Sequence, residues 1–211
     1  SPTTLPSLTT LGTPVATRAL NPTPASIPTL LQATDADGFT LNLIIITISN
    51  QPGDSPGTGD WREMGRANGR GSELNVPLPA ESGDGNLRLA WEQVILPTLH
   101  RFGPEMVLVS AGYDGHWADP LTWLLYSCDG LYHLMRELTD LVADVCEGRM
   151  LVVLEGGYDL DALAHGVTGT LAAMLGQPYL DPLGAAGEPE PPVEDLLGLL
   201  LENHPLCCRA P

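Results

Sequence analysis

The chain has 211 residues, enough for one core-forming domain with irregular tails, and its 43% apolar content fits a globular protein. A net charge of −17 excludes direct attraction to DNA or RNA phosphates; any functional use of the acidic field would favour cationic ligands such as polyamines or basic tails. All nine basic residues are arginine, so the lysine of a P-loop and the Schiff-base lysine of imine-forming enzymes are both ruled out.

In chain order, residues 1–38 are rich in Pro, Thr, Ser and Leu with no period of 2 or 3.6, and read as a poorly ordered leader. Its start, SPTTLPSLTTLGTP, has neither a basic opening nor an apolar stretch, so no secretory signal is visible; either the chain is cytoplasmic, the expected compartment, or something upstream has been removed. Nothing approaches the roughly 18–20 consecutive apolar residues of a membrane span. Leu41–Ile48 is a continuous β-branched run, short enough for a buried strand. The glycine-punctuated stretch 53–71 reads as a long loop, and Leu74–Val76 as a short strand stopped by Pro77 and Pro79. Leu87, Ala90, Trp91, Val94, Ile95 and Leu99 recur at helical spacing and predict a helix to about Phe102.

Met106–Ser110 (MVLVS) and Met150–Leu154 (MLVVL) are short apolar runs that predict buried strands. Between them Leu131, Leu134, Met135, Leu138, Leu141, Val142 and Val145 form a second helical stripe, and a third helix is expected from about Leu160 to Leu175. Strand–helix alternation of this kind predicts right-handed βαβ units around a mainly parallel sheet. A Pro/Gly/Glu-rich connector over 177–192 leads to a short helix at Val193–Glu202. The domain is therefore expected to span 39–206, with 207–211 as a tail. Cys128, Cys146, Cys207 and Cys208 show no CxxC spacing and read as reduced thiols.

Parallel α/β sheets place their ligand sites beyond the carboxyl ends of the strands. Two loops qualify: Ala111-Gly112-Tyr113-Asp114-Gly115-His116-Trp117-Ala118-Asp119-Pro120 after MVLVS, and Glu155-Gly156-Gly157-Tyr158-Asp159 after MLVVL. Gly112, Gly156 and Gly157 let backbone turn sharply beside a ligand, so these glycines and His116 are expected to line the cleft. Asp114 and His116 share one side of an extended segment and could bind a metal with a third ligand, or simply cap a turn and bond to backbone. Tyr158 could aim its hydroxyl into the same cleft and donate to a developing oxyanion, or could be a packed tyrosine. Ser110 fails the nucleophile elbow because position 108 is leucine, and GTGDWR fails the dinucleotide fingerprint at Arg62.

Read together, VSAGYDGHWADPL (109–121) and VLEGGYDL (153–160) resemble the last two signature segments of class II-like histone deacetylases and acetylpolyamine amidohydrolases. PGTGDW (56–61) and GRGSELNVPLP (69–79) resemble the loop and strand before them, and VEDLLGLLLENHPL (193–206) the closing helix. The resemblance covers about residues 54–206 in the family's order. It implies an arginase/deacetylase-like three-layer α/β sandwich and zinc-dependent removal of acetyl groups from acetyl-lysine or acetylated polyamines. It also implies that Asp114 is a zinc ligand, that Tyr158 stabilises the oxyanion and that His116 is not a ligand.

The resemblance thins before residue 54. The family's tandem histidines and its Asp-x-His pair have no counterpart: DADGFTLN (35–42) contains no histidine, and none occurs before His100. Where the family often carries Ser-x-His-Gln, this chain reads Ile48-Ser49-Asn50-Gln51. One Zn2+ ligand does not hold a catalytic zinc that needs three. The chain reads as the C-terminal part of such a domain, expected to be catalytically silent by itself, with a binding-only or remnant role as the alternative.

Overall fold

The computed structural model describes residues 31–34, 40–50, 59–66 and 69–207. Most of the leader and Cys208 onward lie outside them. Six strands and five α-helices follow in order: β1 Leu31–Thr34, β2 Thr40–Leu43, β3 Ile45–Asn50, β4 Glu73–Leu78, α1 Asp84–Ala90, α2 Leu96–Phe102, β5 Val107–Ala111, α3 Cys128–Cys146, β6 Met150–Leu154, α4 Leu160–Met174 and α5 Glu194–Asn203. The fold is α/β with parallel strands, as the alternation of the sequence predicts. β3 pairs parallel with β4, and β5 pairs parallel with β6 in the register Val107↔Met150 to Ala111↔Leu154. Among the described residues these remain separate two-stranded sheets, beside the antiparallel pair β1–β2.

Four features depart from the sequence reading. The apolar run at 41–48 is divided at Ile44, because β2 pairs antiparallel with β1 while β3 turns to pair with β4. The strand β1 also falls inside the stretch read as a leader. In β4, Pro77 stays within the strand, in register with Ser49. β4 pairs with β3 alone among the described residues, which leaves one edge where a missing N–H costs no ladder bond. The helix expected to run to Phe102 is continuous but contains a π-helical stretch, Trp91–Ile95, just before Pro97. Proline cannot donate to the preceding turn, and a wider turn reroutes the bonds that an α-helix would lose there.

The core lies where β4 meets the helices. Leu74, Val76 and Leu78 are fully buried and pack in one cluster with Leu87 and Ala90 of α1, Trp91, Val94 and Ile95, Met135 to Val142 of α3, and Leu197 and Leu200 of α5. Trp91 donates from Nε1 to Glu137 Oε2 at 2.6 Å, joining the π-helical stretch to α3. Buried His204 closes the C-terminal end: Nε2 lies 2.8 Å from the Glu73 carbonyl and Nδ1 accepts from Leu206 N–H at 3.2 Å. Cys128, Cys146 and Cys207 are buried, with no disulfide among the described residues. Burial pushes the Cys128 thiol up to about 11, so it stays protonated.

The connector over 177–192 has neither helix nor strand, yet it is tied in by carboxylates. Glu190 accepts from Gly85 N–H and Asn86 N–H at 2.8 and 2.6 Å, at the start of α1. Asp181 accepts from Asp129 N–H at 3.1 Å in the first turn of α3. Both supply negative charge where a helix presents unpaired N–H groups.

The β5–β6 sheet is packed on one face only. Val107, Val109, Met150 and Val152 lie against the core cluster, whereas Leu108, Leu151 and Val153 are 46%, 51% and 46% exposed on the other. The two faces make opposite predictions for substitution. Leu74→Ala should cost about 2–5 kcal/mol, whereas Leu151→Glu should cost under about 0.5 kcal/mol and reduce self-association. Denaturant midpoints together with light scattering check both.

Candidate functional site

β5 and β6 run parallel and in register, so their carboxyl ends open side by side. Backbone bonds continue the pairing into the two loops: Glu155 N–H donates to the Ala111 carbonyl and Tyr113 N–H to the Gly156 carbonyl, each at 3.0 Å. This lacing brings Asp114 against the second loop. A Cβ placed on Gly156 would stand 2.8 Å from Asp114 Oδ1, and one placed on Gly112 would stand 2.6 Å from the same oxygen. Glycine is therefore required at both positions for the carboxylate to lie where it does. At Gly157 the backbone has φ +127°, a conformation that L side chains rarely adopt.

Tyr113 bolts the two loops to α4. Its ring is buried against Gly166, where a Cβ would collide with it, and its hydroxyl hydrogen-bonds with Thr170 Oγ1 at 2.9 Å. Burial raises its phenol pKa, partly offset by that hydrogen bond. Tyr158, by contrast, is 58% exposed at the loop end, just before the Asp159 that caps α4 by accepting from Ala162 N–H at 2.8 Å. Asp114 and Tyr158 thus sit on the same edge of the same two-stranded sheet.

His116 lies elsewhere. It is 1% exposed, its ring packs beside Trp117, and its Nδ1 accepts from Ala118 N–H at 3.1 Å. Desolvation lowers its pKa, against the opposing pull of Asp181, Asp159, Asp84 and Asp119. With Nδ1 accepting, the neutral ring carries its proton on Nε2, which has no partner among the described residues. The imidazole is buried and bonds back onto its own loop, rather than lining an open cleft wall.

Two residues that the sequence reading passed over hold the first loop. Thr122 donates from Oγ1 to the Asp114 carbonyl at 2.6 Å. Asp119, 6% exposed, accepts from Leu121 N–H at one oxygen and from the N–H groups of Tyr158 and Asp159 at the other. Their partners are backbone groups distant in sequence or hidden by the turn, so residue type alone gave no signal for them.

A catalytic zinc takes three protein ligands. Among the described residues no group of three His, Cys, Asp or Glu side chains is placed to hold a metal. Asp114 could supply one ligand, and the described residues do not fit a complete zinc site. No helix among them is long and apolar enough to cross a membrane.

Over residues 42–174 the chain matches the family model described as the Histone deacetylase domain. It is 39% identical over 168 residues to the Oryza sativa subsp. japonica protein named Histone deacetylase 10, chloroplastic, covering 77% of this chain and 38% of that one. It is 38% identical over 143 residues to the Probable deacetylase of Archaeoglobus fulgidus, covering 67% and 39%. The crystal structure of the HDA15 HD domain superposes with a TM-score of 0.61 at 31% identity, covering 77% of this chain and 44% of that one. The chain thus spans less than half the length of these relatives.

The bolt at Tyr113 is directly testable. Gly166→Ala should displace the Tyr113 ring and cost about 1–3 kcal/mol of stability, read as a lower denaturant midpoint.

Proposed function

This chain belongs to the histone deacetylase family, and on that premise we propose that it carries the aspartate–tyrosine portion of an acetyl-amide hydrolase site. The observation that carries the reading is the β5–β6 pairing, which sets the Asp114 carboxylate against Gly156, two residues before Tyr158. In this reading Tyr158 donates its phenol proton as a hydrogen bond to the oxygen of an acetyl-amide carbonyl as charge develops there. Asp114 offers one anionic oxygen ligand. Gly112, Gly156 and Gly157 keep the backbone low enough for a substrate to approach. The substrate class is an acylated amine, such as acetyl-lysine or an acetylated polyamine, and an acidic chain suits the cationic character of such molecules.

Hydrolysis also needs a group to move a proton, together with the ligands that complete the metal site. The chain has no pair of adjacent histidines anywhere in its sequence, and no described cluster adds ligands to Asp114. We therefore propose that the 211-residue chain is silent as a hydrolase by itself. The same observation favours, as a second reading, a non-catalytic or binding-only module of the same fold. The compartment proposed from the sequence is the cytoplasm; the rice relative is named chloroplastic, and cell fractionation distinguishes the two.

Turnover decides between the readings of activity. The purified chain, supplied with zinc, is expected to leave fluorogenic acetyl-lysine and N-acetylputrescine at the rate of buffer alone, with Asp114→Ala and Tyr158→Phe indistinguishable from it. Zinc-dependent deacetylation lost in Asp114→Ala would overturn the proposal of silence.

A further inference from the structure

The residue that joins the two loops most directly is neither Asp114 nor Tyr158. Asp119 Oδ2 accepts from Tyr158 N–H at 2.7 Å and from Asp159 N–H at 3.1 Å, across about forty residues of sequence. Its Oδ1 accepts from Leu121 N–H at 3.0 Å, within its own loop. The carboxylate belongs to a residue only 6% exposed, so these charge-assisted bonds form largely out of water, where they are strongest.

The loop that carries Asp119 is itself fixed. Trp117 N–H donates to the Tyr126 carbonyl and Tyr126 N–H to the Gly115 carbonyl, each at 3.0 Å, while Asp119 N–H donates to the His116 carbonyl at 2.9 Å. Thr122 holds the Asp114 carbonyl from the same loop. Asp114 and Asp119 therefore move as one body, and the only side-chain carboxylate in that body that grips the Tyr158 backbone is that of Asp119 among the described residues. Tyr158 precedes α4, and its own side chain is exposed. Its position is set through its backbone.

We propose that Asp119 is the positioning residue for Tyr158, fixing the phenol relative to Asp114 by holding the N–H groups of Tyr158 and Asp159. The proposal rests on the role assigned to Tyr158 above and adds a residue that acts through it without touching substrate. The chemistry demands a carboxylate. All three bonds to Asp119 are accepted by its two oxygens, and an asparagine has only one oxygen; its amide N–H₂ would face either Leu121 N–H or the Tyr158–Asp159 pair.

Amide NMR and hydrogen exchange on the whole chain test this without requiring activity. In the wild-type chain the Tyr158 and Asp159 amide protons should be protected from exchange. Asp119→Asn should shift both amide resonances and speed exchange at both amides by about tenfold or more, the loss expected for hydrogen bonds to a charged group. The amides of β5, β6 and α3 should stay protected. Asp119→Glu keeps the charge and should restore the protection in part, whereas Tyr158→Phe should leave it intact. Unchanged exchange at both amides in Asp119→Asn would overturn the proposal, as would equal loosening of the whole β5–β6 sheet, which would make Asp119 a general structural residue. Because the readout is the grip itself, a silent turnover assay does not touch it, and a missing grip does not touch the assignment of Tyr158.

Discussion

Parallel, in-register pairing of Val107–Ala111 with Met150–Leu154 delivers two glycine-containing loops to one sheet edge. The ladder does not stop where the strands do: the bonds from Glu155 to Ala111 and from Tyr113 to Gly156 carry it into the loops. A slip of one residue would turn Asp114 and the glycines it rests on to different neighbours. Tyr113 turns the opposite way, under α4, so one residue of the segment locks the scaffold while the next is available for chemistry. The site depends on that division of labour between adjacent residues.

Acidity has an internal use in this molecule. With 26 acidic and nine basic residues, most carboxylates have no cation to pair with. Several are satisfied by backbone N–H groups: Glu190 at the start of α1, Asp181 at α3, Asp159 at α4, and Asp119 at the loop before α4. Asp84 accepts from Ser127 N–H at 2.8 Å and from its hydroxyl at 2.5 Å, tying α1 to the N-terminal cap of α3. Helix starts present unpaired donors and a positive dipole end, so they serve as the counter-charges that lysine would otherwise provide.

Long periodic segments were legible in the sequence. The apolar runs and stripes of β5, β6, α4 and α5 predict elements within a residue or two of those observed, and that of α3 misses only the first turn, because each buries one repeating set of side chains. The signature segments also marked the two loops that the structure brings together. What was not legible depends on partners distant in the chain. The break at Ile44 follows from two different strand partners, and the π-helical stretch from a proline whose cost is settled by the neighbouring turn. His116 looked equivalent to Asp114 at a spacing of two, yet the loop is a tight turn rather than an extended strand, and the imidazole folds back onto Ala118 N–H. Asp119 stood in plain view before Pro120, but its partners at Tyr158 and Asp159 could be found only in three dimensions.

Under the proposed function Asp114 is, among the described residues, the one side chain at this edge offered to a metal, and no described cluster completes a zinc site around it. Calorimetric titration of the purified 211-residue chain with zinc tests it most directly. The account predicts no tight one-to-one binding, and heats that are unchanged by Asp114→Ala. A tight, stoichiometric site that disappears in Asp114→Ala would contradict it, by requiring further ligands that converge on Asp114.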